Sequence, residues 1–201
     1  VVCFLGGAPA ASNGNVHRAG SLQETASKAV ALAGPGATPH GKQESDALAA
    51  KICAQLSPSQ RYIRGLYSGG TFCLEAQLIL RDAGIQAYSN APLADGRKLV
   101  DVEKSSEHTV IDLGSDEFTV GRPHPMIDYG ARIDRLLKEA ADPSVACIVL
   151  DMVLGYGSHP SPAEVLGPAI REAKSVARAG GRELPVVCFV CGTDDDPQPF
   201  E

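Results

Sequence analysis

The string Gly121-Arg122-Pro123-His124-Pro125 sets a guanidinium and an imidazole between prolines. An arginine fork matches a carboxylate or a phosphate in bidentate geometry. The prolines would hold both side chains with little conformational freedom left to lose. Arg122 and His124 are therefore candidate catalytic residues. A third is His17, in Val16-His17-Arg18-Ala19-Gly20, just ahead of Ser21. A histidine there can accept a phosphoryl group, with a helix N-terminus beside it to steady the phosphate. Taken alone, such a loop histidine is more often simply solvated.

Two glycine-containing loops could hold the anion. Ser68-Gly69-Gly70-Thr71 has neither the nucleotide P-loop spacing nor the dinucleotide pattern. Its glycines would let backbone N–H groups approach a phosphate at a helix start. The plain alternative is a tight turn in which Thr71 caps a helix. In Gly155-Tyr156-Gly157-Ser158-His159-Pro160-Ser161, the candidates are Gly155, Gly157, Ser158, His159 and Ser161. A helix N-terminus would keep His159 neutral and suited to hydrogen bonding; an exposed loop histidine is the alternative. Asp112 and Asp151 stand where strands are expected to end, with Gly114 closing the first of them. Carboxylates there bind either backbone N–H groups or a substrate.

These residues need elements to position them. Val1–Leu5, Tyr62–Tyr67, Thr109–Leu113, Ala146–Leu150 and Val186–Cys191 read as strands, the apolar ones as parallel strands buried on both faces, with a further short candidate at Gln86–Ser89. Between them come helical patterns. Leu22, Ala26, Val30 and Ala33 form one apolar stripe behind the capping box Ser21–Glu24. A shorter helix with Leu48, Ile52 and Leu56 ends before Pro58. Phe72, Ala76, Ile79, Leu80 and Ala83 form the next stripe, and Ile133, Leu136, Leu137 and Ala140 another. The last helix has a second capping box, Ser161–Glu164, with Pro162 at its first position and Leu166, Ala169, Ile170, Ala173, Val176 and Ala177 inward. Gly34–Lys42 reads as a linker, Asn90–His108 as a polar surface excursion, and Phe118–Pro125 as a loop. Alternating strands and helices specify an α/β fold: an open parallel sheet with helices on both faces. Ligands bind such sheets at the carboxyl ends of the strands, where the loops above fall.

Composition narrows the function. The chain has 201 residues, 44% hydrophobic and 21% charged, with a formal net charge of −6. No basic stripe offers a nucleic-acid surface. No apolar run approaches the roughly 18–20 residues of a membrane span. The six cysteines are scattered, and most read as small buried thiols, including Cys53 and Cys73. Cys188 and Cys191 are three apart on a strand and so point to opposite faces, which argues against a shared metal. No metal is expected, and a reducing cytoplasm fits this cysteine usage. The chain starts without Met and inside an apolar run, as a segment cut from a longer protein would.

Four strings together resemble the FdrA family of the succinyl-CoA synthetase (acyl-CoA ligase) superfamily. They are GLYSGGT at Gly65–Thr71, IDLGSDEFTVGRPHPMID at Ile111–Asp128, LDMVLGYGSHPSPAE at Leu150–Glu164 and CGTDDDPQ at Cys191–Gln198. The resemblance implies flavodoxin-like ligase domains, duplicated as in the α and β subunits of succinyl-CoA synthetase. It accounts for the repeat of Val1-Val2-Cys3-Phe4 as Val186-Val187-Cys188-Phe189. Residues 1–34 would be the tail of an α-type ligase domain, 35–58 a linker and short helix, and 59–201 a β-type ligase-CoA domain. His17 falls near the family's phosphorylated histidine, although one residue is inserted relative to Gly-His-Ala-Gly. The implied activity is transfer of a phosphoryl, acyl or carbamoyl group with a small carboxylate, similar to an oxamate carbamoyltransferase of purine (allantoin) breakdown. A nucleotide-dependent acyl-CoA ligase subunit and a non-catalytic assembly subunit are the alternatives. The implied ligands are phosphate or carbamoyl phosphate here, and CoA and nucleotide through the rest of the enzyme. The implied partners are other ligase domains or subunits, in a homo- or hetero-oligomer.

Overall fold

The structure is a computed structural model and describes residues 1–7, 11–34 and 42–198. Most of the expected linker Gly34–Lys42 lies outside those residues. The chain divides into two compact units, Val1–Cys53 and Ala54–Glu201.

In the first unit, β1 (Val2–Cys3) pairs in parallel with β2 (Arg18–Ala19). The helix α1 (Leu22–Ala33) follows, then α2 (Lys42–Cys53). Ser21 caps α1 as expected, its Oγ accepting the Glu24 N–H at 3.1 Å. The Glu24 carboxylate accepts the Gly20 N–H at 2.7 Å and holds Lys28 at 2.6 Å. Several expectations are corrected here. Val1–Leu5 is not a strand buried on both faces; two residues of it are strand, and Phe4 is 69% exposed. A strand extends only as far as its ladder, and β2 offers two partners. No residue of α1 is buried, so its expected apolar stripe meets no core among the described residues. The second helix stops at Cys53 rather than near Leu56, and Cys53 is exposed.

The second unit holds the sheet. Its elements are β3 (Tyr62–Tyr67), α3 (Gly70–Asp82), β4 (Tyr88–Ser89), β5 (Arg97–Lys98), β6 (Thr109–Asp112), α4 (Asp116–Thr119), α5 (Gly130–Ala141), β7 (Val145–Val153), α6 (Pro162–Ala179) and β8 (Val186–Cys191). All six strands are parallel, in the order β5-β4-β6-β3-β7-β8. From β3 the chain passes to β4 and the edge strand β5, returns to place β6 between β4 and β3, and then adds β7 and β8 on the other side of β3. The point where the direction reverses opens a crevice at the carboxyl ends of β3, β6 and β7. The larger core packs Leu66, Ile111, Leu136, Ile148, Leu150, Leu166, Ala173 and Leu184 between sheet and helices. A smaller cluster of Tyr67, Cys73 and Val110 has Phe72, Ala76 and Leu80 of α3 packed against it. Burial pushes the Cys73 thiol up to about 12, which leaves it inert at neutral pH.

Differences from expectation in this unit have local causes. Asn90–His108 is not wholly a surface excursion: it contains β5, and Leu99 is core. The loop expected from Phe118 begins inside a helical turn, with Phe118 buried. The strand expected to stop at Leu150 runs on to Val153, because β8 pairs with it as far as Cys191. Asp151 is therefore inside a strand rather than at its end. On α3, Ile79 points outward at 59% exposure, while Cys73, Gln77 and Leu78 are buried. On α6, Leu166, Ala169, Ala173 and Ala177 face inward as expected, whereas Val176 is exposed. Two expected caps do not form. Gly69, not Thr71, is the N-cap of α3, and Ser161 precedes α6 without a side-chain cap bond.

Candidate functional site

The crevice floor is an ion pair sealed from water. Asp151 of β7 is 0% exposed. Its Oδ1 accepts the Ser68 N–H at 2.9 Å, and its Oδ2 accepts the Ser68 hydroxyl at 2.5 Å. From α5, Arg132 reaches the same carboxylate, Nη2 donating to Oδ1 at 2.7 Å and to the Asp151 carbonyl at 2.5 Å. Arg132 is itself 2% exposed and stacks over the Tyr129 ring, with Cζ 5.0 Å from the centroid. The Ser68 hydroxyl is thus committed inward, and Asp151 sets the turn that starts α3.

Above this floor, α3 begins with Gly69 extended and no side chain capping its first turn. Gly70 and Thr71 are exposed. Their N–H groups lie in the turn where a helix leaves donors without intrahelical partners, at the positive end of its dipole. Beside them, Asp112 ends β6. Its Oδ1 accepts the Gly114 N–H at 2.8 Å, while a Cβ on Gly70 would lie 3.2 Å from its Oδ2. A Cβ on Gly114 would fall 2.5 Å from the Ser68 carbonyl oxygen, 2.8 Å from His124 Nε2 and 3.2 Å from Asp112 Oδ1. Ser68, Gly70, Asp112, Gly114 and His124 therefore converge in one place. Glycine is required at 114 by this close approach, since one neighbour is backbone and cannot yield. Gly114→Ala should cost about 1–3 kcal/mol and displace His124, to be read as a lower melting temperature together with shifted imidazole resonances.

Both expected histidines accept a backbone hydrogen bond at the same ring atom. His124 Nδ1 accepts the Met126 N–H at 3.3 Å, and His159 Nδ1 accepts the Ser161 N–H at 3.0 Å. With Nδ1 accepting, the ring proton sits on Nε2. The His159 N–H also donates to the Met126 carbonyl at 2.8 Å, which ties the two histidine loops together. The His159 ring meets Tyr129 edge-on at 5.7 Å. Within this loop Ser158 N–H turns back to the Gly155 carbonyl at 3.1 Å, and Gly155 adopts a φ of 134° that favours glycine. Gly157 is exposed and free of close neighbours.

Burial pushes the Asp112 carboxyl above its ordinary value, against the opposing Gly114 N–H and the nearby His124. Asp151 and Glu117 add to the upward push. A carboxyl whose folded value is raised binds its proton more tightly when folded, so its charge opposes folding at neutral pH, and that opposition fades as pH falls through the folded value. Asp112→Asn keeps an acceptor for Gly114. It should therefore melt at or above the wild-type temperature near neutral pH, and the advantage should vanish below the ordinary carboxylate range. Melting curves at both pH values check this.

Arg122 lies elsewhere. It is exposed and lines a cavity with Glu103, Leu113, Phe118, Ala131, Asp134, Arg135 and Lys138, none of them from the glycine loops. His17 is half-buried between the Asn13–Val16 bridge and β2, and its carbonyl accepts the Val2 N–H at 2.7 Å. It belongs to the first unit.

Some contributors carried no sequence flag. Asn90 bonds both the Asp112 N–H and its carbonyl, and also reaches Ser115 and Glu117. Gln198 is 4% exposed and clamps the Gly155 N–H and carbonyl at 2.8 Å each, plus the His159 carbonyl at 3.1 Å. For Arg132 a signal did exist: it stands four residues before Leu136 and eight before Ala140, on the buried stripe of α5. No group of His, Cys, Asp and Glu suited to a metal occurs among the described residues. No helix among them is long and apolar enough to cross a membrane.

A parallel sheet with helices on both faces and with glycine and histidine loops at its carboxyl edge defines a class: α/β domains whose ligand sites lie at a topological switch point. Residues 66–201 match the CoA-ligase family, and the chain belongs to that family. The family groups it with the succinyl-CoA-synthetase-like ligases. The chain is 43% identical over 210 aligned residues to the uncharacterized protein YahF of Escherichia coli (strain K12), an alignment that covers 100% of this chain and 39% of that protein. It thus spans about two-fifths of the length of this curated relative.

Proposed function

We propose that this chain is the phosphate-handling part of an FdrA-type enzyme, which passes a carbamoyl, phosphoryl or acyl group between a phosphate-bearing donor and a small carboxylate. The observation that carries the reading is the uncapped start of α3 facing Asp112 and His124. The Gly70 and Thr71 N–H groups would take the phosphate oxygens. Burial already raises the Asp112 carboxyl, and a phosphate bound beside it would push it further toward the protonated form that donates to an anion. His124 and His159 would present Nε2–H to developing charge. No protein nucleophile is needed for carbamoyl transfer, which fits an oxamate-carbamoyltransferase-like role in purine (allantoin) breakdown. CoA and nucleotide would be held by the rest of the enzyme, and other ligase domains or subunits would complete it. The ligase alternative runs through a phosphohistidine at His17. Incubating the full-length protein and its partners with a labelled phosphoryl donor separates the two: acid-labile label at His17 supports the ligase, and product formation from carbamoyl phosphate without label supports transfer. Neither result would defeat both enzyme readings.

One observation favours an assembly role: the edge strand β8 leaves Val187, Phe189 and Val190 exposed at 47%, 52% and 40%. On that reading, replacing Arg122 and His124 together by alanine leaves the activity of the reconstituted enzyme unchanged. A large loss with assembly intact rules it out.

A further inference from the structure

His159 is fixed at its backbone and at one ring atom. Its N–H donates to the Met126 carbonyl at 2.8 Å, its carbonyl accepts from Gln198 at 3.1 Å, and its Nδ1 accepts the Ser161 N–H at 3.0 Å. One freedom is left, rotation of the ring about the Cβ–Cγ bond, a broad torsion in histidine. That rotation breaks the Nδ1 bond and carries Nε2 to another place. The Tyr129 ring lies against the imidazole, with centroids 5.7 Å apart and planes at 89°, an edge-to-face aromatic contact. Tyr129 occupies the N-cap position of α5 and is 2% exposed, so it is itself held in the core. Arg132 Cζ lies 5.0 Å from the centroid of the same ring, and its Nη2 is bound to Asp151 at 2.7 Å. The Tyr129 hydroxyl makes no hydrogen bond among the described residues. Burial pushes that hydroxyl above its ordinary value, so the phenol is neutral. What Tyr129 offers His159 is therefore its ring, not its polar atom.

We infer that Tyr129 is the positioning residue for His159. Its ring blocks rotation of the imidazole, which keeps Nδ1 on the Ser161 N–H and the proton on Nε2. Arg132 is shared between Asp151 and this ring, so the ion pair that anchors Ser68 also supports the His159 loop. A residue that merely filled the core here could be any apolar side chain of similar volume; a positioning residue must be an aromatic ring. The positioning stands on these contacts alone; that His159 then acts in group transfer rests on the function proposed above.

Nitrogen-15 NMR of the histidine rings in the full-length protein tests the inference, because it reads which ring nitrogen carries the proton. At mildly alkaline pH, where imidazoles are neutral, His159 should show a bonded, unprotonated Nδ1 and a protonated Nε2. Tyr129→Phe should keep that signature. Tyr129→Leu and Tyr129→Met, which keep bulk but remove the ring, should each average it toward a mixture of tautomers. His124, whose Nδ1 is held by the Met126 N–H, is the internal control. In assays of the full-length protein and its partners with carbamoyl phosphate, Tyr129→Leu should lower kcat about tenfold or more with KM changed by less than about twofold, and Tyr129→Phe should restore kcat. A wild-type His159 protonated on Nδ1, an unchanged signature in the Leu and Met variants, or the same loss in the Phe variant overturns the inference. A changed signature with kcat unchanged leaves the positioning standing and removes His159 from the proposed reaction.

Discussion

Asp151→Asn should lower the unfolding free energy by about 3–5 kcal/mol and weaken phosphate binding as well. The substitution is nearly isosteric, so it opens no cavity. It leaves Arg132, 2% exposed, without its counter-charge. The same carboxylate fixes both the N–H and the hydroxyl of Ser68; Asn keeps an acceptor for the N–H but none for the hydroxyl, so the anchor at the start of α3 is weakened. Urea titration gives the stability term and calorimetry the binding term. The partner experiment separates charge from shape: adding Arg132→Met to Asp151→Asn should recover part of the stability, since the unpaired guanidinium is gone. It should not recover binding, since the Ser68 hydroxyl still lacks its acceptor. A double variant that recovers neither would mean that the pair matters for packing and not for its charge.

Glu139→Gln should cost a similar amount, about 3–5 kcal/mol, with the opposite outcome at the site. Glu139 is 4% exposed and serves two buried arginines, Arg64 Nε at 2.7 Å and Arg135 Nε at 2.6 Å. The Ser105 hydroxyl donates to it at 2.5 Å. Arg64 retains Asp142 at 2.9 Å and the Glu107 carbonyl, which limits the loss. This network joins β3 to the last turns of α5, toward the amino ends of the strands and away from the glycine loops. Stability should fall while phosphate affinity holds. Equal loss of both would show that the sheet does not insulate its two ends.

The sheet was legible because its strands are apolar runs of ladder length. Tyr62–Tyr67 and Val186–Cys191 appear with the expected ends. Val1–Leu5 has the same composition as the start of β8 yet forms a two-residue strand, because strand length depends on a partner that composition does not reveal. The site was half legible. Glycines and histidines at loop positions pointed to the carboxyl edge, and Ser68, Gly70, Asp112, Gly114 and His124 do meet there. The floor beneath them was not visible, since Asp151 reaches Ser68 across 83 positions of sequence. Gln198 was hidden for the same reason, acting on Gly155 from 43 positions away. Arg122 and His124 look like one unit in the string Gly-Arg-Pro-His-Pro, but Arg122 lines a cavity while His124 lies against Gly114. On α5, Arg132, Arg135 and Glu139 lie three and four apart, and that spacing places them together on the buried face.

The most direct test removes a single donor from the start of α3. Gly70 is the first helical residue, where proline is well tolerated, and Gly69 before it is extended, as a residue preceding proline must be. The added side chain would meet Asp112 Oδ2 at 3.2 Å, a contact that a carboxylate can relieve. Gly70→Pro therefore deletes one N–H and keeps the helix. Calorimetric titration of the full-length protein with carbamoyl phosphate should show binding to the wild type and about tenfold or weaker binding to the variant, with helix content unchanged by circular dichroism. Equal binding by the two proteins, or none by the wild type, would contradict the account.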